Sequence, residues 1–426
     1  MQYFRSQLFL AVACAVLCVA EGGAQEPGLL LTVSGAASTL RGFFYTPAVG
    51  GQYWQIASTP RSSIGPLAEV PGNRHLLVLN SYGTGGSTVT FSVFEVDTRV
   101  YHDGVLTVPA PVNFAAWSFA VDQEGEVILE GNEGLPLQAA MYRLRGGTFE
   151  RILSGAGGTL VDLDTGDYIG GNATNLLRIR PWGSVTTIAP VPVGAVGLAQ
   201  DPETGEFLVW HSTSGPRPSV LLKVSAQGTV TTTTTTGHYP SAMVVDETPT
   251  ALGEYVFNTG YIACVERGDR MGGPVRTILC LPPYSGENRT WLMDLVLDRV
   301  KNVSTATAGV RNRWHHFVDF PSDAGYPYVV LVGVSGIRPG IRLTDARKIR
   351  LNPDPITWAV LTGAQPGFSG MTGTLDARGT ARGLIDLSSL GPATRGIPFW
   401  MVGMVLDPGP PVSIRRVSPP VVVQIR

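Results

Sequence analysis

The chain has 426 residues, of which only 15% are charged, with 52 Gly, 32 Pro and a formal net charge of −2. The sequence has no cluster of basic residues, which argues against a nucleic-acid partner. The Gly and Pro content favours short strands joined by turns, and no segment shows the apolar i, i+3, i+4 spacing of a long helix. The sequence therefore predicts an all-β protein.

Residues 1–24 have the pattern of a secretory signal. Arg5 supplies a positive charge ahead of the apolar run from Leu8 to Ala20, and small residues precede an expected cleavage before Gln25. This run is shorter than the roughly 20 residues that a membrane span needs, and no later segment is longer and equally apolar. We expect a protein that is secreted or displayed at the cell surface, without a transmembrane span in the mature chain.

A four-strand pattern recurs from Leu67 onwards, and its clearest copy runs from Gly194 to Thr236. A repeat of roughly 40–45 residues per four strands is the spacing of a β-propeller blade. The copies fit six blades, with seven as the alternative, and a degraded last copy is expected from Leu292 to the segment W-H-H-F-V-D-F. The strand-like runs between Gly28 and Thr59 are expected to close the ring by completing the last blade.

The repeat pattern ends near Gly325, where about seven short strands in roughly 100 residues predict a β-sandwich. The predicted organisation is a signal peptide at 1–24, a β-propeller at 25–322 and a C-terminal β-sandwich at 323–426. Under this organisation, removal of residues 325–426 should leave a folded propeller.

Cys264 and Cys280 lie in two strand-like runs on either side of Gly272-Gly273. A hairpin folded about these glycines places the two cysteines opposite each other. In an exported protein such a pair predicts a disulfide, and two reduced buried thiols are the alternative.

Acidic residues recur at the turn between the first two strands of each copy: Asp122 with Glu126, Asp162 with Asp167, Asp201 with Glu206, and Asp246 with Glu254. An Asp that accepts hydrogen bonds from its own turn, with a Gly in the left-handed conformation, explains the repetition structurally. The turn from Asp162 to Asp167 could also hold calcium, but it lacks the closing Glu of a twelve-residue calcium loop.

The opposite face of a propeller collects residues that end second strands or precede first strands. The predicted binding residues on that face are Asn80, Trp117, Asn132, Asn172, His211, His238, Tyr239, Asn258 and Trp291. The catalytic candidates are His211, His238 and Asp294, and Glu130 and Glu133 are further candidates. Such polar and aromatic residues suit a glycan, peptide or protein ligand, and ordinary loop residues that bond local backbone are the alternative.

Two resemblances add to this interpretation. The turn motif, followed by L-L-R-I or L-L-K-V and then G-x-V, resembles the NHL and SMP-30-like six-bladed propeller superfamily from Leu67 to about Phe320. The motifs L-N-P-D-P, G-T-L-D-A-R-G-T-A and V-S-P-P-V-V-V-Q-I resemble the C-terminal sandwich of exported bacterial repeat proteins, which implies secretion but no reaction.

Related propellers include metal-dependent lactonases and lyases, but the carboxylates of this chain do not fall at the motif positions of those enzymes. The favoured interpretation is an exported, non-enzymatic binding protein without a cofactor. The alternative is a hydrolase or lyase that uses a divalent metal such as calcium in the central funnel.

Overall fold

The computed structural model describes residues 28–34, 39–46, 50–58, 67–72, 75–80, 87–95, 98, 100–111, 114–122, 124–134, 138–172, 174–191, 198–211, 219–236, 240–245, 254–259, 264–269, 276–280, 290–294, 303–344, 347–363 and 366–426. Among them, the strands before residue 295 are β1 Gly28–Ser34, β2 Thr39–Thr46, β3 Gly50–Ser58, β4 Leu67–Val70, β5 His75–Leu79, β6 Thr88–Glu95, β7 Val100–Pro109, β8 Ala115–Val121, β9 Val127–Glu133, β10 Gln138–Arg145, β11 Thr148–Ser154, β12 Gly157–Val161, β13 Tyr168–Gly171, β14 Leu176–Ile179, β15 Val185–Ala189, β16 Leu198–Gln200, β17 Phe207–His211, β18 Ser219–Val224, β19 Val230–Thr236, β20 Pro240–Val245, β21 Glu254–Thr259, β22 Cys264–Asp269, β23 Arg276–Cys280 and β24 Thr290–Asp294.

These strands form six four-stranded antiparallel sheets among the described residues. Sheets 1 to 5 each consist of four consecutive strands, starting from β4, β8, β12, β16 and β20, and sheet 6 has the order β24-β1-β2-β3. The first strands of neighbouring sheets contact each other in sequence, and β24 contacts β4. We call this closed arrangement of residues 28–294 the ring. The predicted fold class, all-β with a β-propeller, is confirmed.

The ring closes as expected from the sequence, because N-terminal strands complete the sheet that begins with β24. Leu30 of β1 is paired with Asp294, and Ser34 is paired with Thr290. Neighbouring sheets then pack through shared apolar clusters. Phe91 of sheet 1 and Phe119 of sheet 2, for example, meet edge to face with ring centroids 5.3 Å apart, a favourable arrangement for buried aromatic rings.

Three of the four acidic turns have the predicted structural role, and Asp246 of the fourth lies outside the described residues. Asp122 Oδ1 accepts hydrogen bonds from the backbone N–H groups of Glu124 and Glu126, both at 2.9 Å, and Asp162 and Asp201 accept equivalent bonds in their own turns. Gly125 has φ +76°, a left-handed conformation that costs a glycine little. The repetition of Asp and Gly therefore follows from one turn geometry used in successive sheets.

A second unit, which we call the C-terminal module, spans residues 303–426. Its elements are β25 Val303–Thr307, β26 Arg313–Asp319, a 3-10 helix Pro321–Asp323, β27 Pro327–Gly333, β28 Ile341–Arg342, β29 Lys348–Ile349, helix α1 Pro355–Leu361, β30 Phe368–Ser369, β31 Thr372–Thr374, β32 Thr380–Asp386, a 3-10 helix Pro392–Thr394, β33 Pro398–Asp407, β34 Ser413–Val417 and β35 Val421–Gln424. Two antiparallel sheets, β25-β26-β32-β30 and β31-β27-β33-β34 with β35 on β33, share a buried apolar core.

The domain boundary predicted between residues 322 and 323 needs correction. The segment W-H-H-F-V-D-F was expected to end the last propeller copy, but it forms β26, which pairs with β32 from Arg313 opposite Asp386 to Asp319 opposite Thr380. Trp314 and Val318 of β26 are buried in the core of the C-terminal module. The module therefore begins by Val303, and its classification as a β-sandwich stays a prediction.

The L-N-P-D-P motif organises one loop of the module. Asp354 caps helix α1 by accepting a hydrogen bond from the N–H of Thr357, and its second carboxylate oxygen accepts bonds from Val334 and Ser335 N–H at 2.6 and 3.0 Å. These hydrogen bonds hold the pKa of Asp354 below its usual range, against the opposing effect of burial. The motif is thus explained by local structure.

The cysteine pair has the predicted backbone register, since Cys264 of β22 is directly opposite Cys280 of β23. The disulfide itself stays a prediction, because these side chains lie outside the described part. We expect mass spectrometry of the unreduced mature chain to give a mass 2 Da below that of the reduced chain, the loss of two hydrogens when one disulfide forms. Alkylation of both cysteines without prior reduction would contradict the bridge.

Among the described residues, the structure has no helix with the length and apolar character of a membrane span.

Candidate functional site

The antiparallel order of each sheet gives the ring two distinct ends. Turns between first and second strands lie at one end, which we call the turn end. Loops between second and third strands, and the links between sheets, lie at the opposite end, which we call the loop end. The predicted ligand site belongs to the loop end, and the repeated acidic turns belong to the turn end.

The C-terminal module covers the turn end at four consecutive sheets. Each contact uses the glycine of the turn between the first and second strands, at a point where a Cβ atom would come within 3.2 Å of a module side chain. The four contacts are Gly72 with Phe317, Gly125 with Ala306, Gly166 with Gln424, and Gly205 with Arg338. The same glycines have φ between +74° and +84°. They serve both the turn conformation and the close approach of the module.

Hydrogen bonds and apolar packing fix this docked arrangement. The indole Nε1–H of Trp400 donates to the carbonyl of Leu163 at 2.7 Å, and the Leu163 side chain packs against the apolar cluster that contains Trp400. The N–H of Thr307 donates to the carbonyl of Glu124 at 2.8 Å. Arg395 of the module also lies over the ring of Trp182 in sheet 3, 4.8 Å from its centroid.

Ion pairs link the same surfaces. Arg426 binds Glu124 at 2.8 Å, Arg338 binds Asp164, and Lys348 binds Glu203 at 2.7 Å. Burial raises the pKa of Glu124 and Asp164 even though the arginines oppose this shift. Desolvation therefore outweighs the charge attraction at these two carboxylates, and we assign the ion pairs to alignment and the apolar contacts to stability.

The charge distribution matches this docking. Residues 303–426 contain 13 Lys and Arg and 7 Asp and Glu, whereas residues 1–302 contain 18 and 26. The nearly neutral whole chain thus combines a basic module with an acidic remainder, and opposite net charges attract the two units. This asymmetry is the sequence signal that could have revealed the docked arrangement.

Two of the predicted binding residues are engaged in local structure. The Asn80 amide oxygen accepts a 2.9 Å bond from the hydroxyl of Tyr101, and its Nδ2 donates to Ser92 and to Asp103. Asn172 Oδ1 accepts bonds from the N–H groups of Thr174 and Asn175. Both amides stabilise sheet edges or turns, as the alternative interpretation of ordinary loop residues expected.

Asn132 lies on β9 and is paired with Ala139 of β10. The remaining predicted residues are placed less fully. His211 and Asn258 lie on β17 and β21, and Trp117 and Trp291 lie inside β8 and β24, but the side chains of all four lie outside the described part. His238 and Tyr239 lie outside the described residues altogether. Asp294 was expected among the catalytic candidates on the same face as the predicted binding residues. That placement is wrong, because Asp294 is the last residue of β24 and therefore lies towards the turn end.

Glu130 is the residue that sequence analysis underrated. It occupies β9 opposite Ser118 of β8, and its carboxyl lies against Gly157 of sheet 3, where a Cβ atom would be 2.5 Å from Oε1. The residue keeps some exposed surface, but its carboxyl is deep enough that burial raises its pKa to about 7. The available signal was a charged residue within the apolar strand V-I-L-E-G.

Glu133 has a different environment on the same strand. Its carboxylate accepts hydrogen bonds from the hydroxyl of Tyr142 and from Arg151, the latter at 3.0 Å. These bonds hold the pKa of Glu133 below its usual range. Glu133 is therefore occupied by its neighbours, whereas no described residue donates a hydrogen bond to Glu130 or pairs with its charge.

The adjacent histidines of β26 point to opposite faces of their sheet, as the strand period requires. His316 is buried, with Nε2 3.1 Å from the carbonyl of Gly370, while His315 is partly exposed. The two rings therefore do not converge on one metal.

The Asp162 carboxylate, considered for calcium, accepts hydrogen bonds from Arg178 and Gln200 at 3.0 and 2.8 Å. The described residues contain no group of three or more metal-ligating side chains.

No protein-family model matches the chain, and no curated protein matches it in sequence. Solved structures with a similar fold include TolB from Acinetobacter baumannii, at 14% identity and a TM-score of 0.44, over 67% of this chain and 71% of that one. They also include a gluconolactonase from Xanthomonas campestris, at 15% identity and a TM-score of 0.39, over 70% of this chain and 95% of that one. A 6-phosphogluconolactonase-like protein from Bacteroides fragilis is similar at 10% identity and a TM-score of 0.45, over 65% of this chain and all of that one. At these values the similarity concerns the propeller fold and does not extend to activity.

Proposed function

We propose that the protein is an exported, non-enzymatic binding protein that holds a glycan, peptide or protein ligand at the loop end of its ring. One observation carries this proposal: the C-terminal module covers the turn end at four consecutive turns. The loop end is then the end at which a ligand can reach the ring. In this proposal the module is a fixed cap on the opposite end, so it does not serve as a flexible spacer.

Export and surface retention belong to the same proposal. They rest on the signal-like pattern of residues 1–24 and on the resemblance of the C-terminal motifs to those of exported repeat proteins. No cofactor is required for such a role.

The proposal is tested by blocking one end of the ring at a time. Thr174 is exposed in the loop between β13 and β14, at the loop end, and Gln227 is exposed in the turn between β18 and β19, at the turn end. Thr174→Cys and Gln227→Cys, each labelled with the same bulky maleimide polymer, form a matched pair. Ligands from a glycan and peptide array should lose at least tenfold in affinity with the label at 174 and keep it with the label at 227.

The labelled unmodified sequence serves as the control for reaction at Cys264 and Cys280. Equal loss of binding with both labels, or loss only with the label at 227, would place the ligand elsewhere and end the proposal.

A second candidate function is a hydrolase or lyase with a divalent metal, such as calcium, in the central funnel. The pKa of Glu130, about 7, favours it, because a general acid or base works best near the operating pH. Elemental mass spectrometry of the purified mature chain decides between the candidates. A stoichiometric metal that a chelator removes, together with loss of turnover, would put the enzyme first.

A further inference from the structure

The carboxyl of Glu130 lies at the seam between sheets 2 and 3, on the side of the loop end. β9 runs from the turn end towards the loop end, and Gly157 is the first residue of β12, which starts at the loop end. The carboxyl reaches this position because Gly157 has no side chain. A second glycine contact keeps the neighbouring backbones close, since a Cβ atom on Gly170 would lie 1.9 Å from the carbonyl oxygen of Gly157.

Other polar groups accompany Glu130 at this seam. Ser118, its partner across the sheet, shares a 3.0 Å hydrogen bond with Thr159 of sheet 3. Asn132 follows two residues after Glu130 and therefore points to the same face of β9. This pair of hydroxyls and this amide offer neutral hydrogen-bonding groups beside one carboxyl.

A desolvated carboxyl without a partner weakens the folded state. Within the described part of the chain, burial is the only influence on the pKa of Glu130, whereas the carboxylates of the turn end have arginines beside them. A bound cation would supply the missing charge and would recover part of the cost of desolvation. The excess of acidic residues in residues 1–302 attracts a cationic ligand.

We propose that this seam binds a cationic side chain of a peptide, the ammonium of a lysine or the guanidinium of an arginine, on the carboxyl of Glu130. The inference rests on the proposed function, because it names the ligand class for the loop end. Ser118, Thr159 and Asn132 provide the surrounding hydrogen-bond acceptors for the cation. Since the cation favours the ionised carboxylate, binding releases a proton from Glu130 around neutral pH.

The experiment uses the full mature chain and four capped hexapeptides, which differ only at a central Arg, citrulline, Lys or acetyl-lysine. Calorimetric titration should show that the Arg and Lys peptides bind at least tenfold more tightly than their neutral analogues. The affinity should rise several-fold from pH 6 to pH 8, and the heat of binding should depend on the ionisation enthalpy of the buffer. Absence of binding of both cationic peptides at millimolar concentration would overturn the inference.

Three variants separate this site from nonspecific attraction. Glu130→Gln should lose the cation preference, and Gly157→Ala should weaken it because the new methyl group displaces the carboxyl. Glu150→Gln removes the same charge from an exposed position on β11 and should leave the affinity unchanged. Equal affinity of the unmodified chain and Glu130→Gln would refute the site.

A stability measurement guards against a variant that fails to fold. Without peptide, Glu130→Gln should melt at a higher temperature than the unmodified chain at pH 8. It should lose this advantage at pH 5, because burial destabilises only the ionised carboxylate.

The proposed loop-end function and the proposed cation site can fail separately. If an array ligand is blocked by the label at 174 but cationic peptides do not bind, the loop-end function stands and the cation site falls.

Discussion

A chain that ends at residue 324 is expected to aggregate, whereas a chain that ends at residue 302 is expected to remain a soluble ring. The longer chain keeps β25 and β26 but lacks β32 and β33, their partners in the module core. Val303, Trp314 and Val318, at most 1% exposed in the full chain, would then be uncovered. Each such side chain contributes about 1.5–3 kcal/mol through burial, so the two-stranded remnant has a strong tendency to associate.

Size-exclusion chromatography of both chains, expressed with the same N-terminus, measures their aggregation. Thermal unfolding of the soluble fraction measures their stability. The chain ending at 302 should also unfold at a lower temperature than the full protein, because Leu163 and the four turn glycines lose the module. If the chain ending at 324 is as soluble and as stable as the one ending at 302, the module does not begin by Val303.

Acidification is expected to destabilise the protein through His316. Burial lowers the pKa of this ring to about 4, against about 6.5 in an unfolded chain. Between these values the unfolded chain binds a proton that the folded protein does not. The contribution of His316 is therefore complete above pH 6.5 and is lost as the pH falls towards 4. The loss is about 3 kcal/mol, from 1.36 kcal/mol for each unit of pKa difference.

Urea unfolding at pH 7.5 and pH 4.5 measures this effect. The unmodified chain should lose roughly 2–3 kcal/mol more than His316→Gln between the two pH values. Gln can still donate to the Gly370 carbonyl, and His315→Gln on the exposed side of the same strand is the matched control. An NMR titration that places the pKa of His316 near 6.5 in the folded protein would contradict the prediction directly.

The ring could be predicted because its signals are local. The Asp-Gly turn motif and the period-2 alternation of a strand each depend on the conformation of a few neighbouring residues. Asp122 and Gly125 adopt the turn conformation that the motif predicts. The closing sheet followed from the same pattern, since three strands before Leu67 had no fourth partner nearby. These are the features for which sequence and geometry are directly connected.

The module boundary could not be predicted from the same signals. The alternation in Trp314–Asp319 indicates that one face of this strand is buried, but it does not indicate which other strand pairs with it. Its partner, β32, begins about 60 residues later in the chain. Similarly, the turn motif indicated how Gly205 shapes its own backbone, while its contact with Arg338 depends on a surface 133 residues away. Only the charge imbalance between residues 1–302 and residues 303–426 could have indicated the docking.

Closure by β1 and β24 determines when the ring can be completed. Leu30 pairs with Asp294, so a hydrogen-bonded ladder joins residues separated by roughly 260 positions. During synthesis the first three strands leave the ribosome early and keep an unpaired edge until β24 has emerged. Such long-range pairing slows folding, and an open edge invites association with other chains. The contacts that join sheet 6 to sheets 5 and 1 through β24 are thus postponed until nearly the whole ring has been made, whereas sheets 1 to 5 can pack in order as they are synthesised.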